Sequence, residues 1–467
     1  VSLAWLTAVC EFPGRRFFSW ALLLPLAIPA YVSGFVFISL LDFSGPVQSA
    51  LREWLGPGIW FPKVRGRLGV IVVMVLALYP YVYLLARNAF LTQGRRALEA
   101  AQSLGLSRIQ GFFRVALPMA RPWIAGGLML ALMETLADFG TVAVFNYDTF
   151  TTAIYKAWFA LFSLTAASQL ASILIVIAFV LLLAEQQSRA RMRYAEGRAG
   201  ARLEGVRLTG ARRWGAAAFA AGVLIAGFLV PSAQLAWWAA GVLKADLDSR
   251  YLEFAWHTVA LSAGAAVLTA LIAVLLAYAG RRCTDTPTRV AVRVATLGYA
   301  LPGAVLAVGI FIPIAWLDNA LVAAGERLLG IKPGLLIQGT LFAMLVAYIA
   351  RFMAVGFSPI DSAMQRITRS LDEAAMSLGL TPVRALLRVH LPILRGGIVS
   401  GAILVFVDVM KEMPITLMTR PFGWDTLAVR IFEMTSEGEW ERAALPSLTL
   451  VLAGLLPILF LTRHAEK

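Results

Sequence analysis

Ten stretches of this chain, near residues 17–42, 68–90, 123–145, 163–185, 214–240, 255–280, 292–317, 335–358, 396–418 and 445–462, are apolar for long enough to cross a bilayer. A chain in lipid must satisfy its own backbone N–H and C=O groups, and apolar runs of this length without period-two alternation do so as helices. The 467 residues are 60% hydrophobic and only 15% charged, with mean hydropathy +0.76, which no soluble fold of this size matches. The expected class is an all-α, polytopic membrane protein. Pro25, Pro29, Pro80, Pro231, Pro302 and Pro313 lie inside the runs, where neighbouring helices satisfy the freed carbonyls.

Basic residues in short loops stay in the cytoplasm, so arginine orients the spans. Segment 186–213 carries eight arginines, the 281–293 loop holds Arg281, Arg282, Arg289 and Arg293, and alternate threading puts both on one face. The 241–254 loop, with Asp246 and Asp248, and the 419–444 loop fall on the other face, and the C-terminus is cytoplasmic. One loop fits poorly, because 43–67 should be external yet holds Arg52, Lys63, Arg65 and Arg67. The net charge of +14 therefore reflects topology and not a nucleic-acid surface. Cys10 and Cys283 are expected near the reducing cytoplasmic face, unpaired, and His257, His390 and His464 form no ligand cluster.

A 23-residue segment occurs twice, starting at Glu99 and at Glu373, at a constant offset of 274 with no gap and with twelve identities. Leu24-Pro-Leu-Ala-Ile-Pro29 matches Leu297-Gly-Tyr-Ala-Leu-Pro302, and Leu3-Ala4-Trp5 sits where Leu276-Ala277-Tyr278 does, at an offset of 273. The chain is an internal duplication: a first half over 1–185, a basic linker over 186–213 and a second half over 214–467. The second half holds six spans and the first four with part of another, so an N-terminal helix and most of the next are expected to precede Val1, giving twelve spans in full. An even number of spans per half makes the repeats parallel, with a transport pathway between them. Each repeated segment reads as two short helices joined at a glycine, the first opening with its acidic residue, where the helix dipole favours it.

Glu-Ala-Ala, three residues, Gly and a later Leu-Pro resemble the cytoplasmic signature loop of permeases of binding-protein-dependent ABC importers, in which that loop forms the coupling helix docking on the ATPase subunit. The resemblance implies that Glu99, Ala100, Ala101, Gly105 and Pro118, with Glu373, Ala374, Ala375, Gly379 and Pro392, make two ATPase contacts. It implies two ATPase subunits carrying ATP-Mg, a periplasmic binding protein, a bacterial inner-membrane location and alternating access. The sequence contains no G-x-x-x-x-G-K-[ST] phosphate loop. No catalytic residue and no bound cofactor are therefore expected, and the chain is read as no enzyme itself.

At the same offset Glu134 aligns with Asp408 and Asp138 with Glu412, each pair at i,i+4 and so on one helix face. From a start near Trp123 they lie roughly 16 and 22 Å along the span. Burying an acid at mid-span costs about 3 kcal/mol, so the four should avoid lipid and face one another. Carboxylates suit a hard trivalent cation, which makes these four the candidate metal path; the competing role is a structural ion pair, with Lys411 as partner to Asp408 or Glu412. Met133-Glu-Thr-Leu-Ala-Asp-Phe-Gly140 and Asp408-Val-Met-Lys-Glu-Met-Pro414, in a fused two-half permease, resemble the ferric-iron class of these importers, which implies Fe(III) as the transported substrate. A fused permease for thiamine is the near alternative, and a proton-coupled secondary transporter using the acids as a relay is the alternative of another class. Asp148-Thr149 and Asp425-Thr426 are placed at the outer mouth, and Gly126-Gly127, Gly397 and Gly401 are read as helix-packing positions.

Overall fold

A computed structural model describes residues 1–94, 101–194, 206–283, 285–330 and 334–465. Among the described residues nine helices are long and apolar enough to cross a membrane, and Ala444–Pro457 is a shorter apolar one. Each of the ten apolar runs contributes one of them, so the all-α, polytopic class holds. The one sheet among the described residues is a two-residue parallel pairing, with Cys10 opposite Val206 and Glu11 opposite Arg207.

The helices gather into two compact units. One comprises Val1–Thr149, Val176–Leu243 and Thr435–Lys467, the other Phe150–Ile175 and Lys244–Met434. Spatial units and sequence repeats thus differ, since each unit takes a segment from the other side of the linker. In the first unit, helix Arg67–Ala89 packs against Leu117–Ala137, Ser2–Val9 and Ala30–Leu41, and helix Ala444–Ala465 lies against the turn Leu24–Ala27. In the second, Ser249–Arg282, Leu341–Met364 and Leu391–Lys411 pack on one another.

Glycine sets how near these helices come. A Cβ on Gly127 would stand 2.8 Å from Val82 Cα, and one on Gly401 would stand 2.7 Å from the Gly356 carbonyl oxygen. Both neighbours are backbone atoms that cannot swing away, so the aligned glycines fix the same close approach in the two repeats.

Runs 17–42 and 292–317 break at proline. Run 17–42 forms the helix Arg15–Ala21, the 3-10 turn Leu24–Ala27 and the helix Ala30–Leu41. Run 292–317 forms Thr286–Ala295, the 3-10 turn Gly298–Ala300 and Gly303–Leu329. Pro29 and Pro302 stand at the two restarts with ψ of 137° and 143°. Proline inside a helix costs about 3 kcal/mol through a lost hydrogen bond and a ring clash, whereas just before a helix it costs nothing. The duplicated Leu-x-x-x-x-Pro is therefore a duplicated break.

Two of the four basic residues in loop 43–67 have local partners. Arg65 Nε lies 2.7 Å from Asp42 Oδ2, and the Arg52 guanidinium sits 4.0 Å from the Phe43 ring centroid while donating to the Phe43 carbonyl. Between them helix Pro46–Leu55 exposes Trp54 and Leu55.

Candidate functional site

The two copies of the repeated segment share their backbone as well as their residues. Gly105 and Gly379 adopt φ of +83° and +75°, the left-handed region that favours glycine. Leu106 N–H donates to the Ala101 carbonyl at 3.0 Å and Leu380 N–H to the Ala375 carbonyl at 3.1 Å, the same six-residue closure of a helix end. Each chain then makes one π turn, Phe112–Ala116 and Leu386–His390 at matching positions, before the spans Leu117–Ala137 and Leu391–Lys411. Pro118 and Pro392 sit in the first turns of those spans, where a missing N–H leaves no bond unmade.

Ala101 and Ala375 are buried, whereas Glu373 and Ala374 are exposed; Glu99 and Ala100 lie outside the described residues. The helix in the second copy runs from Arg369 to Ser377, so it begins four residues before Glu373 and its first-turn acid is Asp372. That corrects the expectation that the signature glutamate opens the helix.

Three aligned apolar pairs stand out of this polar surface. Leu104 and Leu378 are both 82% exposed, Ile109 and Val383 are 69% and 65% exposed, and Phe113 and Leu387 are 61% and 57% exposed. The exposure matches at matching positions in the two copies; Leu104 and Leu378 precede the helices long and apolar enough to cross a membrane, and the other four lie in their first turns. Sequence reasoning centred on the Glu-Ala-Ala motif missed these side chains; the identity of Leu104 and Leu378 and the apolar character of the other two pairs were the available signal.

The second copy is tied to the last turn of helix Ser249–Arg282. Arg281 Nη2 lies 2.6 Å from Asp372 Oδ2, and Arg281 Nη1 donates to the carbonyls of Met364 at 3.3 Å and Ile367 at 2.8 Å. His390 Nε2 lies 2.6 Å from Asp372 Oδ1, and Tyr278 Oη donates to the Pro382 carbonyl at 3.0 Å. Partial burial alone would raise the Asp372 pKa, but the hydrogen bonds and charges of Arg281 and His390 outweigh it and hold the carboxyl below its ordinary value. His390 is buried, at the far side of Asp372 from Arg281.

The acid-bearing spans end earlier than their apolar runs. Helix Leu117–Ala137 stops at Asp138, which is extended with ψ of 129°, and helix Leu391–Lys411 stops at Glu412, with ψ of 119°. Asp138 Oδ1 accepts the N–H groups of Thr141 at 2.9 Å and Val142 at 3.2 Å, opening the short helix Gly140–Val144. Glu412 Oε1 accepts the N–H of Ile415 at 2.9 Å, opening Pro414–Thr419. The expectation of two acids on one continuous helix face is therefore corrected: Glu134 and Asp408 are helical, whereas Asp138 and Glu412 serve as caps where the chain restarts. Among the described residues no three His, Cys, Asp or Glu side chains gather to hold a metal ion.

The basic partner of Glu412 is Arg351, 3.3 Å away and on helix Leu341–Met364, while Asp408 is the electrostatic neighbour of Lys411. Arg351 Nη1 also reaches the Leu301 carbonyl at 3.4 Å, so one guanidinium joins the Pro302 break to the Glu412 break. Ala77 stands at the position aligned with Arg351 in the first repeat. Outside this network, the buried Asp318 accepts N–H bonds from Leu336, Ile337 and Gln338 at 2.8 to 3.2 Å, a carboxylate spent on folding a loop.

Residues 1–192 and 269–465 match the sequence family described as binding-protein-dependent transport system inner membrane component. The chain is 26% identical over 463 residues to the Fe(3+)-transport system permease protein FbpB 2 of Haemophilus influenzae, covering 98% of this chain and 84% of that relative. It is 29% identical over 204 residues to the molybdenum transport system permease protein ModB of Escherichia coli, covering 42% of this chain and 87% of that relative. A putative 2-aminoethylphosphonate transport system permease protein, PhnV of Salmonella paratyphi A, is 35% identical over 130 residues, covering 28% of this chain and 49% of that relative.

Proposed function

Because this chain belongs to the binding-protein-dependent transport system inner membrane component family and matches it in both repeats, we propose that it is the fused permease of an ATP-driven importer that brings Fe(III) from a periplasmic binding protein into the cytoplasm. The observation that carries the ATP-driven part is the twinned segment, with its aligned exposed residues Leu104, Ile109 and Phe113 and Leu378, Val383 and Leu387. Two such surfaces support two ATPase subunits, one for each half, with 1–185 and 214–467 as the halves. Glu99, Ala100, Ala101, Gly105 and Pro118, with Glu373, Ala374, Ala375, Gly379 and Pro392, adjoin these residues in sequence and belong to the same two ATPase contacts. ATP-Mg is held and hydrolysed by the partners, and this subunit converts their closure into alternating access.

The iron assignment is supported by similarity to an Fe(3+) permease along nearly the whole chain, where the molybdenum and phosphonate permeases match part of it. Chemistry supports it as well. Hard cations prefer carboxylate oxygens, and Glu134, Asp138, Asp408 and Glu412 place two of them at the end of each aligned span. A passing ion needs weak sites in series, so caps such as Asp138 and Glu412 suit a path better than a tight cage. Arg351 favours a second reading, the import of an oxyanion, since a buried guanidinium is an anion ligand once its carboxylate partner moves.

Proteoliposomes holding this permease, its ATPase and its binding protein separate the two readings. Under the iron reading, uptake of labelled Fe(III) requires ATP and falls at least about tenfold in Glu134→Gln/Asp408→Asn, with ATP hydrolysis retained. Uptake of labelled molybdate or phosphonate in place of iron would overturn the iron reading. Transport driven by a proton gradient without the ATPase would overturn the ATP-driven one.

A further inference from the structure

The second docking segment is bonded to the end of helix Ser249–Arg282. Arg281 binds Asp372 and the carbonyls of Met364 and Ile367, Tyr278 binds the Pro382 carbonyl, and His390 binds Asp372 in turn. In sequence the first repeat has Trp5 and Ala8 at the places of Tyr278 and Arg281, and Leu98 and Ala116 at those of Asp372 and His390. Trp5 packs edge-on against Phe90 and Phe112, with ring centroids 5.2 and 4.6 Å away. The charged side chains of the second copy's contacts thus have no charged counterpart at the aligned positions.

We propose that Arg281, Asp372 and His390 are positioning residues for energy coupling: they clasp the second docking segment to helix Ser249–Arg282, so that movement of that segment is passed directly to the span. The proposal rests on reading the twinned segments as ATPase docks. Three features support it. Asp372 is the residue next to Glu373, so the clasp grips the docking helix itself. Arg281 spends its donors on both sides of the joint, holding Ile367 in the strand of chain that leaves the span and Asp372 in the helix that follows. His390, with its side chain 2% exposed, joins Asp372 to the π turn that leads into the acid-bearing span Leu391–Lys411. A push on the docking helix thus has two rigid exits, one into helix Ser249–Arg282 and one into Leu391–Lys411. A clasp of charge-assisted bonds resists shear, which a contact between apolar rings does not.

The test uses the full complex of permease, ATPase and binding protein in proteoliposomes. Its readouts are co-purification of the ATPase, stimulation of ATP hydrolysis by the binding protein, and labelled Fe(III) taken up per ATP. Arg281→Ala should keep the ATPase bound while stimulation and uptake per ATP fall about tenfold, the size of effect expected when a hydrogen-bonded charge is removed. Arg281→Lys should restore part of the loss, since an ammonium still pairs with Asp372 but cannot also hold the Met364 and Ile367 carbonyls. Asp372→Asn and His390→Ala should each lower stimulation several-fold, and His390→Ala should fold, because Ala116 occupies the matching place in the first repeat.

Full stimulation in both Asp372→Asn and His390→Ala would overturn the proposal, as would an Arg281→Ala loss confined to ATPase binding that lysine does not repair. A wild-type chain that holds no ATPase would overturn the docking reading itself. A wild-type complex that hydrolyses ATP in response to the binding protein yet carries no iron would overturn only the substrate.

Discussion

Single residues in this protein are legible where their cost is local. Gly379 has φ of +75° and open space where a Cβ would stand, so Gly379→Ala should cost only the backbone term, about 1 to 2 kcal/mol, and Gly379→Asn less. Hydrogen exchange in the segment around residues 375–380 would register the loosened turn. Gly401 is the opposite case, with no space at all: Gly401→Ala should destabilise by about 1 to 3 kcal/mol. In the same helix Gly396 has nothing within 4 Å, so Gly396→Ala should be neutral or slightly stabilising. Thermal unfolding of the detergent-purified protein distinguishes the two. Asp318→Ala leaves three backbone N–H groups without their carboxylate and should lower stability by about 3 kcal/mol or more in the same measurement. Asp372 sets the pH response of the second docking segment. Its folded pKa lies below the ordinary 3.8, so its contribution is present above that value and is lost only as pH falls through the depressed one. Protection of the segment should therefore not change through Asp372 between about pH 5 and pH 8, and should collapse in stronger acid.

At the scale of elements, the apolar runs and the packing glycines could be read from sequence because hydropathy and small side chains act along one helix. The breaks could not. Hydropathy runs smoothly through Pro29, Pro302 and Asp138, yet the helix stops at each, because a missing donor or a competing carboxylate outweighs continued burial of apolar side chains. Charge pairing was hidden for another reason. Lys411 reads in sequence as a partner for either Asp408 or Glu412; Asp408 is its electrostatic neighbour, whereas Glu412 pairs with Arg351, on a different helix and 3.3 Å away. The clasp is more distant still, joining Arg281 to a carboxylate 91 residues on. Such meetings depend on which helix faces which, and no period in the chain carries that information. The docking surface was half legible: the turn glycines could be read as such, whereas the exposed apolar trio could be recognised only once exposure was known.

For the whole molecule, sequence repeat and spatial unit are different divisions, and each unit borrows from across the linker. Cutting the chain within 195–205 should therefore give two pieces that are each unstable alone and accumulate only when made together; co-purification of separately tagged pieces checks this. The order of synthesis gains a meaning from the same exchange. Helix Ala444–Ala465 is made long after the turn Leu24–Ala27 on which it packs. The unit that holds this turn must wait in the membrane, unfinished, until that helix emerges. A stop codon near residue 434 would thus injure the packing around Leu24–Ala27 more than that of the span Ser249–Arg282, and any quality control that senses the open face around Leu24–Ala27 would in effect be reading whether translation had passed residue 465.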